Sequence, residues 1–174
     1  MTTDSASPTP FTIRDASTHD KAVIVEFNRR LAYETEGKHL DPEVLERGVD
    51  RALTDPDRLR YWVVEQDGDR SIIAQTAVSR EWSDWRNGWI WWLQSVYVVA
   101  EHRRRGLLRS LYKHIRSQAE ADPDVIGIRL YVEEANHRAK HTYEALGLKP
   151  GGYSVFEELW TERTRTGRVA RSVR

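Results

Sequence analysis

No cysteine occurs among the 174 residues. That absence removes disulfides, thiolate metal ligands, a cysteine nucleophile and any thioester intermediate carried on the protein. No apolar run approaches the roughly 18–20 residues that a membrane-crossing helix needs. The first ten residues, MTTDSASPTP, have neither the basic start nor the apolar stretch of a signal peptide. An excess of one charge is missing too: Lys plus Arg and Asp plus Glu are 27 each, so the net charge is zero. A general attraction to nucleic acid or to an anionic membrane has no footing in that balance. These absences predict a cytoplasmic protein with no nucleic-acid partner, no membrane association and no metal. What remains is 39% hydrophobic and 31% charged, with a mean hydropathy of −0.68. Such a chain builds one core under a well-solvated surface.

Tryptophan is the excess. Of seven, five (Trp82, Trp85, Trp89, Trp91 and Trp92) fall within eleven residues. Residues 1–10, rich in Thr, Ser and Pro, are expected to be disordered, and residues 11–160 to form the domain. Residues 161–174, with five Arg and one Glu, read as a basic mobile tail.

Within the domain, Phe11 and Ile13 alternate as in a short strand, and Ser17 or Thr18 caps a helix running through Glu34. Residues 33–41 read as an acidic connection. Asp41-Pro42 then opens a helix to about Thr54, with proline at the first helical position. Strands are expected over 60–66, 71–82 and 89–99, with Asp67-Gly68 and residues 83–88 as turns. The third run is nearly all apolar, which implies burial on both faces and a central place in the sheet. Leu108, Leu111, Tyr112, Ile115 and Ala119 recur at helical spacing over 104–121. A strand over 125–133 follows, then a helix capped by Asn136 and stopped at Gly147. A last strand is expected over 153–160. The order implies an α/β fold: a mixed, largely antiparallel sheet, helices on both faces, and one right-handed parallel crossover between the third and fourth long strands.

The chemistry concentrates in VYVVAEHRRRGLLR, residues 96–109. A buried strand ends, three arginines and a glycine follow, and an amphipathic helix begins. A helix N-terminus offers unpaired N–H groups and the positive end of a dipole. Gly106 admits a close ligand, and Arg103, Arg104 and Arg105 supply forked donors, so the combination suits phosphate. It is neither a P-loop nor a dinucleotide fingerprint. A solvated arginine cluster is the plainer alternative. His137 and His141 stand four apart on one helix, which is metal-ligand spacing; with no third ligand in the pattern they read as an exposed face.

Arg103-Arg104-Arg105-Gly106-Leu107-Leu108 resembles the acyl-CoA loop of the GNAT superfamily of N-acetyltransferases, Arg/Gln-x-x-Gly-x-Gly/Ala, at Arg103 and Gly106. Leu108 departs from it, standing where the family has a small residue. Asn136, Ala139, Tyr143 and Gly147 resemble the family's following helix, and the element order matches over residues 11–160. The resemblance implies the GNAT fold and an N-acetyltransferase using acetyl-CoA. It also implies that the main chain at Val96, Tyr97 and Val98 pairs with the pantetheine arm. The N–H groups from Arg104 to Arg109, those of Leu107 and Leu108 included, would hold the pyrophosphate. Asn136 would touch pantetheine, and Tyr143 would lie beside the thioester sulfur as the acid for the leaving thiolate. Without cysteine, direct transfer to a primary amine in a ternary complex is expected.

The base is open. The family's strand carboxylate is missing, since Gln94 and Ser95 occupy its neighbourhood. Glu34, Glu36, Glu81 and Glu157 are candidates, each equally readable as a surface carboxylate. Trp82 and Trp85 beside Glu81 and Asp84 suggest a pocket for a cationic small-molecule or peptide amine, with Gln94 lining it. Sheet packing or a homodimer contact explains the same aromatics. A non-catalytic acyl-CoA-sensing module is the competing function, suggested by Leu108 and the missing carboxylate.

Overall fold

A computed structural model describes residues 10–160. The expected disordered segment, apart from Pro10, and the basic tail 161–174 lie outside the described residues. Five strands form one sheet in the order β1-β2-β3-β4-β5. They are β1 (Phe11–Asp15), β2 (Arg60–Gln66), β3 (Ile72–Ser83), β4 (Gly88–Val98) and β5 (Val125–Leu130). The first four pair antiparallel in sequence, and β5 joins β4 in parallel. The mixed, largely antiparallel α/β sheet read from the sequence is the observed one.

Helices α1 (Lys21–Glu36) and α2 (Pro42–Thr54) pack on one face, while α3 (Leu107–Ala121) and α4 (His137–Ala145) belong to the other. Period-two alternation sorts the strands between them. Tyr61, Val63 and Ala77 meet Ile24, Val49 and Ala52 on the first face. Trp62, Val64, Val78, Trp91 and Leu93 meet Leu107, Leu111, Tyr112 and Ile115 on the second. Local signals set several boundaries. The Asp41 carboxylate accepts the Val44 N–H at 3.1 Å, capping α2 one residue before its proline. Asn136 does the same for α4 through the Ala139 N–H at 3.0 Å.

Four expectations need correction. Helix α1 starts after a short 3-10 turn (Thr18–Asp20) and continues to Glu36, because nothing interrupts it before Gly37 at φ +63°. Residues 33–36 are therefore helix rather than connection. Helix α3 begins at Leu107, three residues later than expected, because Arg104 and Gly106 take left-handed backbone angles. Strand β5 ends at Leu130, short of Glu133. No strand forms over 153–160: Tyr153, Val155, Phe156 and Leu159 are exposed there. Apolar composition supplies the propensity for a strand but not a partner to pair with.

Candidate active site

Strands β4 and β5 stay paired from Trp89 opposite Val125 to Leu93 opposite Leu130, and part beyond that point. The cause is visible in β4. Ser95 has φ +50°, and the β3–β4 register slips between Gln75 and Ala77. A bulge of this kind bends a strand and raises its twist. A buried amide chain supports it from below. Gln75 Nε2 donates to Asn28 Oδ1 at 2.7 Å and to the Ser95 carbonyl at 3.3 Å, and Asn28 Nδ2 donates to the Tyr61 hydroxyl at 3.1 Å. The edge of β4 from Gln94 to Val98 is thus left without a parallel neighbour among the described residues. An extended ligand can pair with such an edge through main-chain hydrogen bonds.

The chain then makes a 3-10 turn (Ala100–His102) and the loop of residues 103–106. Arg104 at φ +64° and Gly106 at φ +80° turn the backbone so that the first bond into α3 runs from Ser110 N to the Gly106 carbonyl at 3.0 Å. The consecutive peptide N–H groups of Arg104 through Arg109 donate no backbone hydrogen bond among the described residues. Free N–H groups at the positive end of a helix dipole form an anion site. The side chains of Arg104, Arg105 and Arg109 are exposed beside it.

Arg103 is placed differently. Its Nε donates to the Val98 carbonyl at 2.9 Å and its Nη2 to Glu34 Oε2 at 2.5 Å, while the Tyr97 hydroxyl donates to Glu34 Oε1 at 2.9 Å. Burial alone would raise the Glu34 carboxyl, but the hydrogen bonds from Arg103 and Tyr97 outweigh it and hold it below the usual range. Burial, then the neighbouring Glu34, push the Tyr97 phenol up. On α4, the Tyr143 ring packs against the second core, burial raises its phenol, and its hydroxyl bonds to no described residue. Val96 and Val98 face the same core.

The remaining candidates spread over the sheet. Gln94 lies at the open edge, its Nε2 donating to Ser79 Oγ at 2.5 Å. Glu36 at the end of α1 pairs with Lys38, and Glu157 lies near enough to reinforce that charge on Lys38. Glu81 is spoken for: it accepts from the Trp92 indole at 2.7 Å and from Arg129 at 3.2 Å. Trp82 packs edge-on against Trp89, with centroids 5.0 Å apart, and Trp85 projects from the hairpin tip, 87% exposed. From Trp89 to Ser95 the strand extends over roughly 20 Å. The structure therefore brings Glu34, Gln94, Tyr97 and the 103–109 loop to one end and leaves Trp82 and Trp85 at the other. A groove of about 480 Å³ lined by Trp62, Trp91, Arg60 and Arg80 also lies at that far end, near Asp122 beyond the C-terminus of α3. The Ser95 bulge and its Gln75–Asn28 support were missed from sequence; the one available signal was a polar Gln75-Thr76 pair inside an apolar strand.

The model of the acetyltransferase (GNAT) family matches residues 23–148. Phosphinothricin N-acetyltransferase of Streptomyces viridochromogenes is 29% identical over an alignment of 157 residues that covers 83% of this chain and 83% of that one. A solved structure from Clostridium difficile 630, described as a possible acetyltransferase, superposes with a TM-score of 0.81 at 41% identity, over 87% of this chain and 99% of that one. One from Clostridium acetobutylicum, described as a predicted acetyltransferase with acetyl-CoA, shares the fold at a TM-score of 0.69 and 17% identity, over 86% and 96%. The matched span runs from α1 through Leu148 and takes in the open strand edge, the free N–H run and the helix of Tyr143. The chain belongs to the GNAT family of acetyltransferases and is an acyltransferase.

Proposed function

We propose that the protein moves the acetyl group of acetyl-CoA to a primary amine of a small molecule or peptide, by direct attack within a ternary complex. The observation that carries this reading is the run of free N–H groups from Arg104 to Arg109 directly beyond the open edge of β4. A diphosphate suits the first and an extended pantetheine the second. Gly106, Leu107 and Leu108 contribute main chain to the phosphate site. Asn136 turns its Oδ1 to its own helix and keeps Nδ2 for pantetheine.

Tyr143 serves the departing sulfur. An ordinary thiol has a pKa of about 8.5 and a phenol about 10, so full transfer from tyrosine to thiolate is uphill by roughly 2 kcal/mol. Burial raises the Tyr143 phenol above its ordinary value. Tyr143 therefore acts first as a hydrogen-bond donor to charge developing on sulfur, and the proton completes its passage as the attacking nitrogen gives up its own.

At the open edge Gln94 does not titrate, and Glu34, held low by Arg103 and Tyr97, is a weak base. The acceptor ammonium loses its proton to solvent before attack, so kcat/KM for the amine rises with pH up to the acceptor's own pKa. The residues that suggested a cationic acceptor, Trp82 and Trp85, sit at the hairpin end; the acceptor is defined by its amine alone.

The missing strand carboxylate favours one competitor, an acyl-CoA-binding module without turnover. Both readings expect thermal stabilisation by acetyl-CoA. Release of CoA over an amine panel separates them: amine-dependent release supports the transferase, and binding without release under every amine overturns it.

A further inference from the structure

Beyond Leu93 the end of β4 loses β5, and among the described residues only β3 holds it on the sheet, through a register broken at Ser95. A clasp from elsewhere replaces the missing neighbour. The Arg103 guanidinium joins the carbonyl of Val98, the last residue of β4, to the carboxylate of Glu34 on α1. The other Glu34 oxygen takes the Tyr97 hydroxyl. The Tyr97 ring lies 5.5 Å from the Arg103 guanidinium carbon and 5.0 Å from the Phe27 ring of α1. Strand end, loop and helix are thus tied at one point. With side-chain exposures of 33% and 38%, Arg103 and Glu34 form a pair that adds little to overall stability; its effect is on geometry.

We propose that Arg103 and Glu34 are positioning residues: they clamp the end of β4 to α1 and set the open edge Gln94–Val98 for the pantetheine arm, while the phosphates are held without the Arg103 guanidinium. This rests on the acetyl-CoA reading above. It also departs from the simplest view of three adjacent arginines, in which all three meet phosphate.

The two views separate on a carboxylate. A phosphate ligand at Arg103 has no use for Glu34, whose negative charge opposes an anion. A clamp needs both. The experiment measures binding of acetyl-CoA and of 3′-phospho-ADP, the same molecule without pantetheine, by calorimetry to wild type, Arg103→Met, Glu34→Gln and the double variant. Each single variant is expected to weaken acetyl-CoA by about tenfold, because a small misplacement of a positioning surface has effects of this order or larger. Binding of 3′-phospho-ADP should stay within about twofold and the thermal midpoint within about 2 °C, and the double variant should be no worse than either single, as expected for one coupled unit. The clamp is overturned if Arg103→Met weakens both probes alike, or if Glu34→Gln leaves acetyl-CoA binding unchanged or tighter. A wild-type protein that binds neither probe overturns the acetyl-CoA reading and this one with it. One that binds both isolates the clamp for judgement.

Discussion

Gly106 stands just before α3 at φ +80° and ψ 2°. A Cβ built there meets nothing within 4 Å, so Gly106→Ala introduces no crowding. Its whole cost is conformational, roughly 1–2 kcal/mol for a side chain held in the left-handed region. The variant can carry that cost in two ways. If the loop keeps its shape, the free protein is destabilised and melts about 2–8 °C lower, at the 2–4 °C per kcal/mol usual for this size. If the loop relaxes to negative φ, stability is retained and the N–H groups cease to converge. Binding must then restore the strained form, and acetyl-CoA affinity falls by about 5- to 30-fold. The two losses are complementary, so their sum should be roughly 1–2 kcal/mol whichever way the loop goes. Denaturant melts of the free variant and calorimetric titration with acetyl-CoA give the two numbers. If both remain at wild-type values, the left-handed turn is not what forms the anion site and the reasoning fails.

Gly48 supplies the contrast: it lies exposed inside α2 with open space around it, so Gly48→Ala should raise stability by about 0.5–1 kcal/mol and leave acetyl-CoA binding alone. A second test concerns the buried Asp20 carboxylate, which receives Arg14 Nη1 and Nη2 at 2.9 and 2.8 Å and the Ser17 N–H at 2.8 Å. The hydrogen bonds from Arg14 hold its pKa below the ordinary value against the opposing effect of burial. Its stabilisation is therefore complete above the unfolded value near 4 and disappears as pH falls through the depressed folded value. Asp20→Asn should cost about 2 kcal/mol at neutral pH and flatten the acid limb of the stability–pH curve; an unchanged acid limb places the acid sensitivity elsewhere. For Tyr143→Phe, turnover with acetyl-CoA should drop by about 100-fold with affinity nearly intact. Equal turnover, with chemistry shown to limit the rate, removes Tyr143 from its place at the sulfur.

Elements whose signals are local are legible in the amino-acid order itself. Asp41-Pro42 and Asn136 place their helices because a cap needs only its own next turn. Asp67-Gly68 places a hairpin for the same reason, and the amphipathic period of α3 shows its buried face. What escaped depends on partners distant in sequence. Ser95 has no propensity for a bulge; Gln75 and Asn28, from β3 and α1, support it there. The apolar segment around Phe156 reads as a strand and yet lies exposed, since a strand needs an edge to pair with. Tryptophans crowd both arms of the hairpin beside its turn, and antiparallel pairing carries that turn, with Trp82 and Trp85, to the end away from the loop.

The three arginines of the loop show how far composition alone can mislead. Arg103, Arg104 and Arg105 are chemically identical, and a sequence assigns them one job. The backbone separates them. Arg103, at φ −66° and ψ 158°, is still extended, and its side chain bonds back along β4; Arg104 is left-handed and starts the turn into α3. Arg104 and Arg105 remain exposed, so their attraction to a diphosphate is open to screening by salt, whose Debye length is about 10 Å at 0.1 M and 3 Å at 1 M. Replacing either by alanine should weaken acetyl-CoA binding at low salt and make almost no difference near 1 M. The loss in Arg103→Met, being one of strand position, should persist at both. Titrations of the three variants at two salt concentrations settle the assignment: if all three lose affinity in parallel and all three losses vanish in salt, the arginines form one electrostatic cluster, and the division of labour read from the loop is wrong.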